Sequence, residues 1–332
     1  MIGSRIKYLD VAKGVLILLL LIHHLNDSAC LHVAWSEYYI YAYKWQSLYT
    51  AFFMQAFFFI SGYCSNFQKP FYQLVITSAR QLLLPILIFV VINSFIDFFF
   101  FKDFSYLSRL LSLQFWLSGA SFWFLFALFF SKIVVWIYNR YCNIFFSLLL
   151  SIVCIYIGVC FNNTYGHNIF CVFHALVSIL FVYLGYLVKV NNLLDVVCNK
   201  HLVWMYILLL LCIKFCGFDI PSVTAGIWIT IRQIPVFIIL ALTGTASLIW
   251  LCKLIDKNYF LEFFGRNSLI VYGTHYPYLG VMSYLILSFY YPRNLFEGVL
   301  FITVVLILTI FACYLIIKVL NSKYLRYTIG KW

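Results

Sequence analysis

Ten apolar runs, each close to the length that crosses a bilayer, follow one another along the 332-residue chain with little between them. They fall at about 11–25, 47–65, 82–101, 118–138, 143–161, 169–189, 201–217, 233–254, 267–288 and 296–319. About 20 predominantly apolar residues cross the hydrocarbon core as a helix. In lipid, helices and closed barrels are the spanning structures that satisfy every backbone group internally. Ten such runs predict an all-α polytopic integral membrane protein of about ten transmembrane helices. Composition excludes a soluble domain: 10% of the residues are charged and 65% are hydrophobic, whereas soluble domains carry about 25% charged residues.

Charge gives the orientation. The net charge of +12 arises from 22 Lys and Arg against 10 Asp and Glu. With the N-terminus inside and the helices alternating, Lys44, Lys102, Arg109, Lys214, Arg232 and Arg293 fall outside, and the remaining 16 of the 22 basic residues fall inside. That bias places both termini in the cytoplasm. It also explains the basic surplus by contact with membrane lipid, so no nucleic acid partner is expected. Arg5 and Lys7 precede an apolar run as in a signal peptide, but Asp10 and Lys13 interrupt its start and no small-x-small site follows. A retained first helix is therefore expected. No linker divides the chain, and 1–332 reads as a single transmembrane domain. The run 220–232 is a short outer segment that could re-enter the membrane. Most of the eleven cysteines sit inside apolar runs without a Cys-x-x-Cys, so neither a metal nor a disulfide framework is expected.

Ionisable residues inside such runs are costly to keep, which makes them candidates for function. Asp10, Lys13 and Gly14 open the first helix, and His23 and His24 lie in its far half. Lys13 and His24 are 11 positions apart. At 100° and 1.5 Å per residue they lie about 20° apart on one face and roughly 16 Å apart along the axis. Asp10 shares that stripe, His23 points away from it, and Gly14 permits close approach of another backbone. Spacing alone leaves two readings open: a functional stripe, or interfacial charges with histidines capping the outer end.

Three further segments stand out. Phe57-Phe58-Phe59-Ile60-Ser61-Gly62-Tyr63 closes the second run, and Arg80-Gln81-Leu82-Leu83-Leu84-Pro85 opens the third. Phe122-Trp123-Phe124-Leu125 starts the fourth, where an aromatic belt is the plain reading. Gly265-Arg266-Asn267-Ser268-Leu269 leads to Tyr272 and His275, with Asn267, Ser268, Tyr272 and His275 on one polar arc directed at a cavity. His174 reads as a packing residue in mid-helix, and Asp97 as a solvated residue near the outer interface.

In this order and spacing, the four segments resemble the acyltransferase-3 family of integral membrane acyltransferases, in particular its fucose-4-O-acetylase-like branch. The likeness spans about residues 5–280. It implies transfer of an acyl group, usually acetyl, from cytoplasmic acyl-CoA (acetyl-CoA as donor substrate) to a hydroxyl of a cell-envelope sugar, polysaccharide or lipid-linked sugar. The setting it implies is the bacterial inner membrane. By position, His24 matches the family's essential histidine and Lys13 the basic residue that precedes it. His24, Asp10 and His275 are the expected catalytic residues. Lys13, Arg80, Ser61, Tyr272, Asn267 and Trp123 are expected around the donor. Arg80 matches a motif that often carries two arginines, of which one is clear here. The family's optional extracytoplasmic hydrolase-like domain is not expected, since the sequence stops at Trp332. The alternative left by the topology is a transporter or glycan-lipid flippase without transferase chemistry. No inverted repeat or matched pair of broken helices supports it.

Overall fold

The computed structural model describes residues 6–32, 45–102, 111–119, 121–165 and 169–330. The chain termini, and with them Arg5 and Lys331, lie outside the described residues, as do Lys44 and Arg109. All ten apolar runs fold as helices. The first is α1 (Lys7–His32) and the second α2 (Phe53–Cys64). The third is made of α3 (Phe71–Ser78) and α4 (Leu84–Phe101), followed by the short α5 (Leu113–Leu117). Then come α6 (Trp123–Tyr141), α7 (Ile144–Tyr165), α8 (Val172–Val190), the short α9 (Leu194–Val197) and α10 (Lys200–Phe215). The last four are α11 (Ile234–Ile255), α12 (Tyr259–Arg266), α13 (Ser268–Leu287) and α14 (Leu295–Leu320). Among the described residues, seven helical spans are long and apolar enough to cross a membrane on their own. The runs outside that set are the 12-residue α2, the 16-residue α10 and the polar-faced α13.

The third helix begins about eleven residues before the expected start, at Phe71 rather than 82. Gln73, Thr77, Ser78, Arg80 and Gln81 break the apolar run without breaking the helix. A π turn, Ala79–Leu83, joins α3 to α4 just ahead of Pro85, which lacks the N–H that a regular helix needs there. Arg80 therefore sits well inside a continuous helix and not at its start.

Small residues set the closest helix contacts. A Cβ at Gly14 would collide with the Leu261 carbonyl of α12, and one at Gly265 with the Asp10 carbonyl of α1. The α2–α8 pair repeats the device: Gly62 meets the Val182 carbonyl and Gly185 the Phe59 carbonyl. Without a hydrophobic driving force between helices in lipid, such backbone contact is how helices associate tightly.

The run 220–232 forms a two-stranded antiparallel hairpin, Ser222–Val223 with Ile227–Trp228. Val223, Ile227 and Ile229 are buried under it. Asn162 and Asn163 of α7 donate side-chain hydrogen bonds to the carbonyls of Ile227 and Ile229. The hairpin thus closes one end of the bundle, opposite the end that carries Lys13.

Candidate active site

At the hairpin end, a cavity of about 370 Å³ lies between α1, α2, α4, α6 and α13. Its size is at the low end for small-molecule pockets. His24 of α1 and His275 of α13 face each other across it with ring centroids 5.1 Å apart. Tyr276 stands edge-on to His24 at 5.7 Å. Trp123 and Tyr272 complete the aromatic wall, and the hairpin turn contributes Thr224 and Ala225.

The orientation of the His275 ring is fixed by its own helix. Nδ1 lies 3.0 Å from the Val271 carbonyl and 2.9 Å from the Tyr272 carbonyl. Two carbonyl acceptors at one ring nitrogen place the proton on Nδ1 and the lone pair on Nε2. Nε2 is buried without a hydrogen-bond partner. His24, on the opposing helix, lines the same cavity as His275.

Asn93 of α4 enters the site for a reason that lies in α13. Pro277 is inside that helix and cannot donate to the carbonyl four residues earlier, at Gly273. Asn93 Nδ2 donates to that carbonyl at 3.1 Å, from a side chain that is buried. Gly273 itself packs against the Phe89 ring, where a Cβ would collide. One turn beyond Asn93, Asp97 also lines the cavity.

The opposite end of α1 carries a second polar cluster. Lys13 Nζ bonds Asp10 Oδ1 at 2.8 Å, and Arg266 Nε lies 3.5 Å from Asp10 Oδ2. Arg266 also pairs with Glu262 at 2.8 Å. The Asp10 side chain is 4% exposed, Lys13 23% and Arg266 43%, so the carboxylate is covered while its cations reach solvent. The Gly14–Leu261 and Gly265–Asp10 contacts hold these groups together. The expected Asp10–Lys13 stripe is thus an ion pair completed by α12.

The expected site residues divide between these regions. His24, His275, Tyr272 and Trp123 line one cavity. Asp10 and Lys13 belong to the charged cluster. Ser61 neighbours the Gly62–α8 contact, and its carbonyl accepts from Ser65 Oγ. Asn267 does not share the cavity with Tyr272: Nδ2 donates to the Phe263 carbonyl and Oδ1 accepts from Asn321 of the segment after α14. Arg80 lies on the π turn beside Trp116, Leu83 and Phe126, in a groove separate from the histidine cavity.

Four plain readings from sequence are corrected. Trp123 is not a belt residue: it lines the cavity and stacks on His174 at 4.6 Å. His174 is not in mid-helix but near the start of α8, with that ring as its companion. Asp97 and His23 line the cavity although one was read as solvated and the other as pointing away. Asn93 was missed. Its signal, Asn93-Ser94 inside an apolar run, becomes meaningful only beside Pro277 on a distant helix. Among the described residues no group of three or more metal-ligating side chains is found, and the cysteines are free.

The described residues thus form a helical bundle of the membrane-spanning kind with a histidine pair at one cavity. Residues 6–318 match the family described as an acyltransferase domain, acyltransferase-3, and the chain belongs to that family. Comparison with curated proteins gives no match, and comparison with solved structures gives none.

Proposed function

We propose that this membrane acyltransferase moves an acyl group, acetyl in the simplest case, from cytoplasmic acyl-CoA to a hydroxyl of a cell-envelope sugar, in a bacterial inner membrane. The observation that carries the reading is the His24–His275 pair lining one cavity. Transfer to a hydroxyl needs a proton acceptor at the oxygen, and imidazole is suited to it near neutral pH. The hydroxyl oxygen attacks the thioester carbonyl carbon. A C–O bond forms as the C–S bond breaks, and the hydroxyl proton passes through the histidine pair to the departing thiolate. The cavity is too small for a whole nucleotide, so only the acyl end of the donor enters it.

The donor phosphates belong at the other end of α1. There Lys13 and Arg266 present their exposed faces to solvent while Asp10 and Glu262 hold them from behind. The roughly 16 Å between Lys13 and His24 along the helix suits an extended thiol arm. Arg80 is a further cation for the donor, reached along a separate groove. The test is mass spectrometry of envelope glycans from deletion cells complemented with wild type, His24→Ala or His275→Ala. Loss of the acyl group with intact glycan and normal protein level is expected for both variants. A variant that still yields acylated glycan would sink the reading.

A further inference from the structure

Beyond the histidine pair, the cavity holds a second hydrogen-bond acceptor with nothing to accept. Asn93 is 8% exposed and His275 4%. Both line the cavity, and Asn93 Oδ1 and His275 Nε2 are buried without partners. Neither atom can become a donor. The Asn93 amide is held by its Nδ2 bond to the Gly273 carbonyl; flipping it would set two carbonyl oxygens against each other. The His275 proton is held on Nδ1 by two carbonyls. An unsatisfied buried acceptor is destabilising, so two of them favour a ligand that brings two donors.

We infer that the acceptor substrate is bound through two hydroxyls of one sugar, one donating to His275 Nε2 and a second donating to Asn93 Oδ1. The two residues come from helices tied by the Asn93–Gly273 bond, so their spacing is fixed by the protein and not by a mobile side chain. The aromatic surfaces of Trp123 and Tyr276 supply the apolar contact that one face of a sugar ring needs. Asn93 is thereby a specificity residue: it selects a sugar that carries a second free hydroxyl besides the reacting one. A site built to bond a hydroxyl rejects the analogue that lacks it, because its own buried group is then left unpaired.

This inference rests on the acyl-transfer reading only for which hydroxyl reacts; binding is tested without a donor. Purified full-length protein in detergent is equilibrated with radiolabelled methyl glycosides of glucose, galactose and mannose, and with their monodeoxy analogues. Retention is read by equilibrium dialysis. The expected result is that at least one glycoside binds at least tenfold more tightly than one of its monodeoxy analogues, and that Asn93→Leu abolishes that ratio. Equal binding of the glycosides and all their analogues, no binding at all, or a ratio that survives Asn93→Leu overturns it. The wild-type ratio stands alone if the variant does not fold. Binding with the expected ratio but no acyl transfer from acetyl-CoA would overturn the proposed function and leave the two-hydroxyl site standing. Transfer without the ratio would do the reverse.

Discussion

His24 and His275 hold their rings 5.1 Å apart, although α1 and α13 lie near opposite ends of the chain. The two rings differ in how they are held. His275 is pinned by carbonyls of its own helix, whereas His24 is positioned by the packing of α1 against α12 and α13. Replacing His275 by Gln keeps a hydrogen-bonding side chain but loses the basic ring nitrogen. Acyl transfer should fall by about 10²-fold or more, the range of a lost general acid or base. Acetyl-CoA-dependent acylation in proteoliposomes measures it. A variant within threefold of wild type would remove His275 from the chemistry.

The α1–α12 contact predicts where the fold is least tolerant. Any side chain at Gly14 or Gly265 meets backbone, which cannot move aside as a flexible side chain would. Gly14→Val and Gly265→Val should each destabilise by at least the roughly 1–3 kcal/mol of an overpacked core. Both should also separate Asp10 from Arg266. Thermal unfolding in detergent reports the loss, and an unchanged midpoint for either variant would contradict the packing described.

How much of this was legible beforehand depends on whether the signal was local. The ten apolar runs are local, and each one became a helix. Gly14 announced a close approach, and Asp10 and Lys13 their shared stripe, because a single helix fixes those relations. Asn93, Asp97 and His174 were read blandly or missed because hydropathy does not say whether lipid, protein or a cavity surrounds a side chain, and Trp123 entered the expected site only through the family resemblance. Asn267 failed for the opposite reason. It shares a helical arc with His275, but a hydrogen bond to Asn321 claims it before any cavity can. The early start of the third helix was hidden because polarity ended the apolar run while the backbone continued through a π turn.

The charged cluster makes an ordering prediction. Asp10 is covered, whereas Lys13 and Arg266 reach solvent and can be rehydrated when their partner is lost. Asp10→Asn should therefore cost little, about 1 kcal/mol or less, as for exposed pairs. Lys13→Met removes the 2.8 Å partner of a covered carboxylate that Arg266 Nε faces at 3.5 Å. That should cost more, toward the roughly 3 kcal/mol of a broken buried pair. Denaturation of the two variants side by side decides it. If Asp10→Asn proves the more destabilising, the cations depend on the carboxylate and not the reverse.

Pro277 separates stability from function. Pro277→Ala restores an N–H that can bond the Gly273 carbonyl within α13, a gain of about 1 kcal/mol for one hydrogen bond. That bond competes directly with Asn93 Nδ2, which now fills the vacancy. Once displaced, the Asn93 amide is free to turn, and Oδ1 loses its fixed direction toward the acceptor sugar. The variant should unfold at the same temperature or higher, while its KM for the sugar rises several-fold and its KM for the acyl donor stays constant. A lower unfolding temperature with an unchanged acceptor KM would mean that the proline merely shapes the helix, and that Asn93 gains nothing from it.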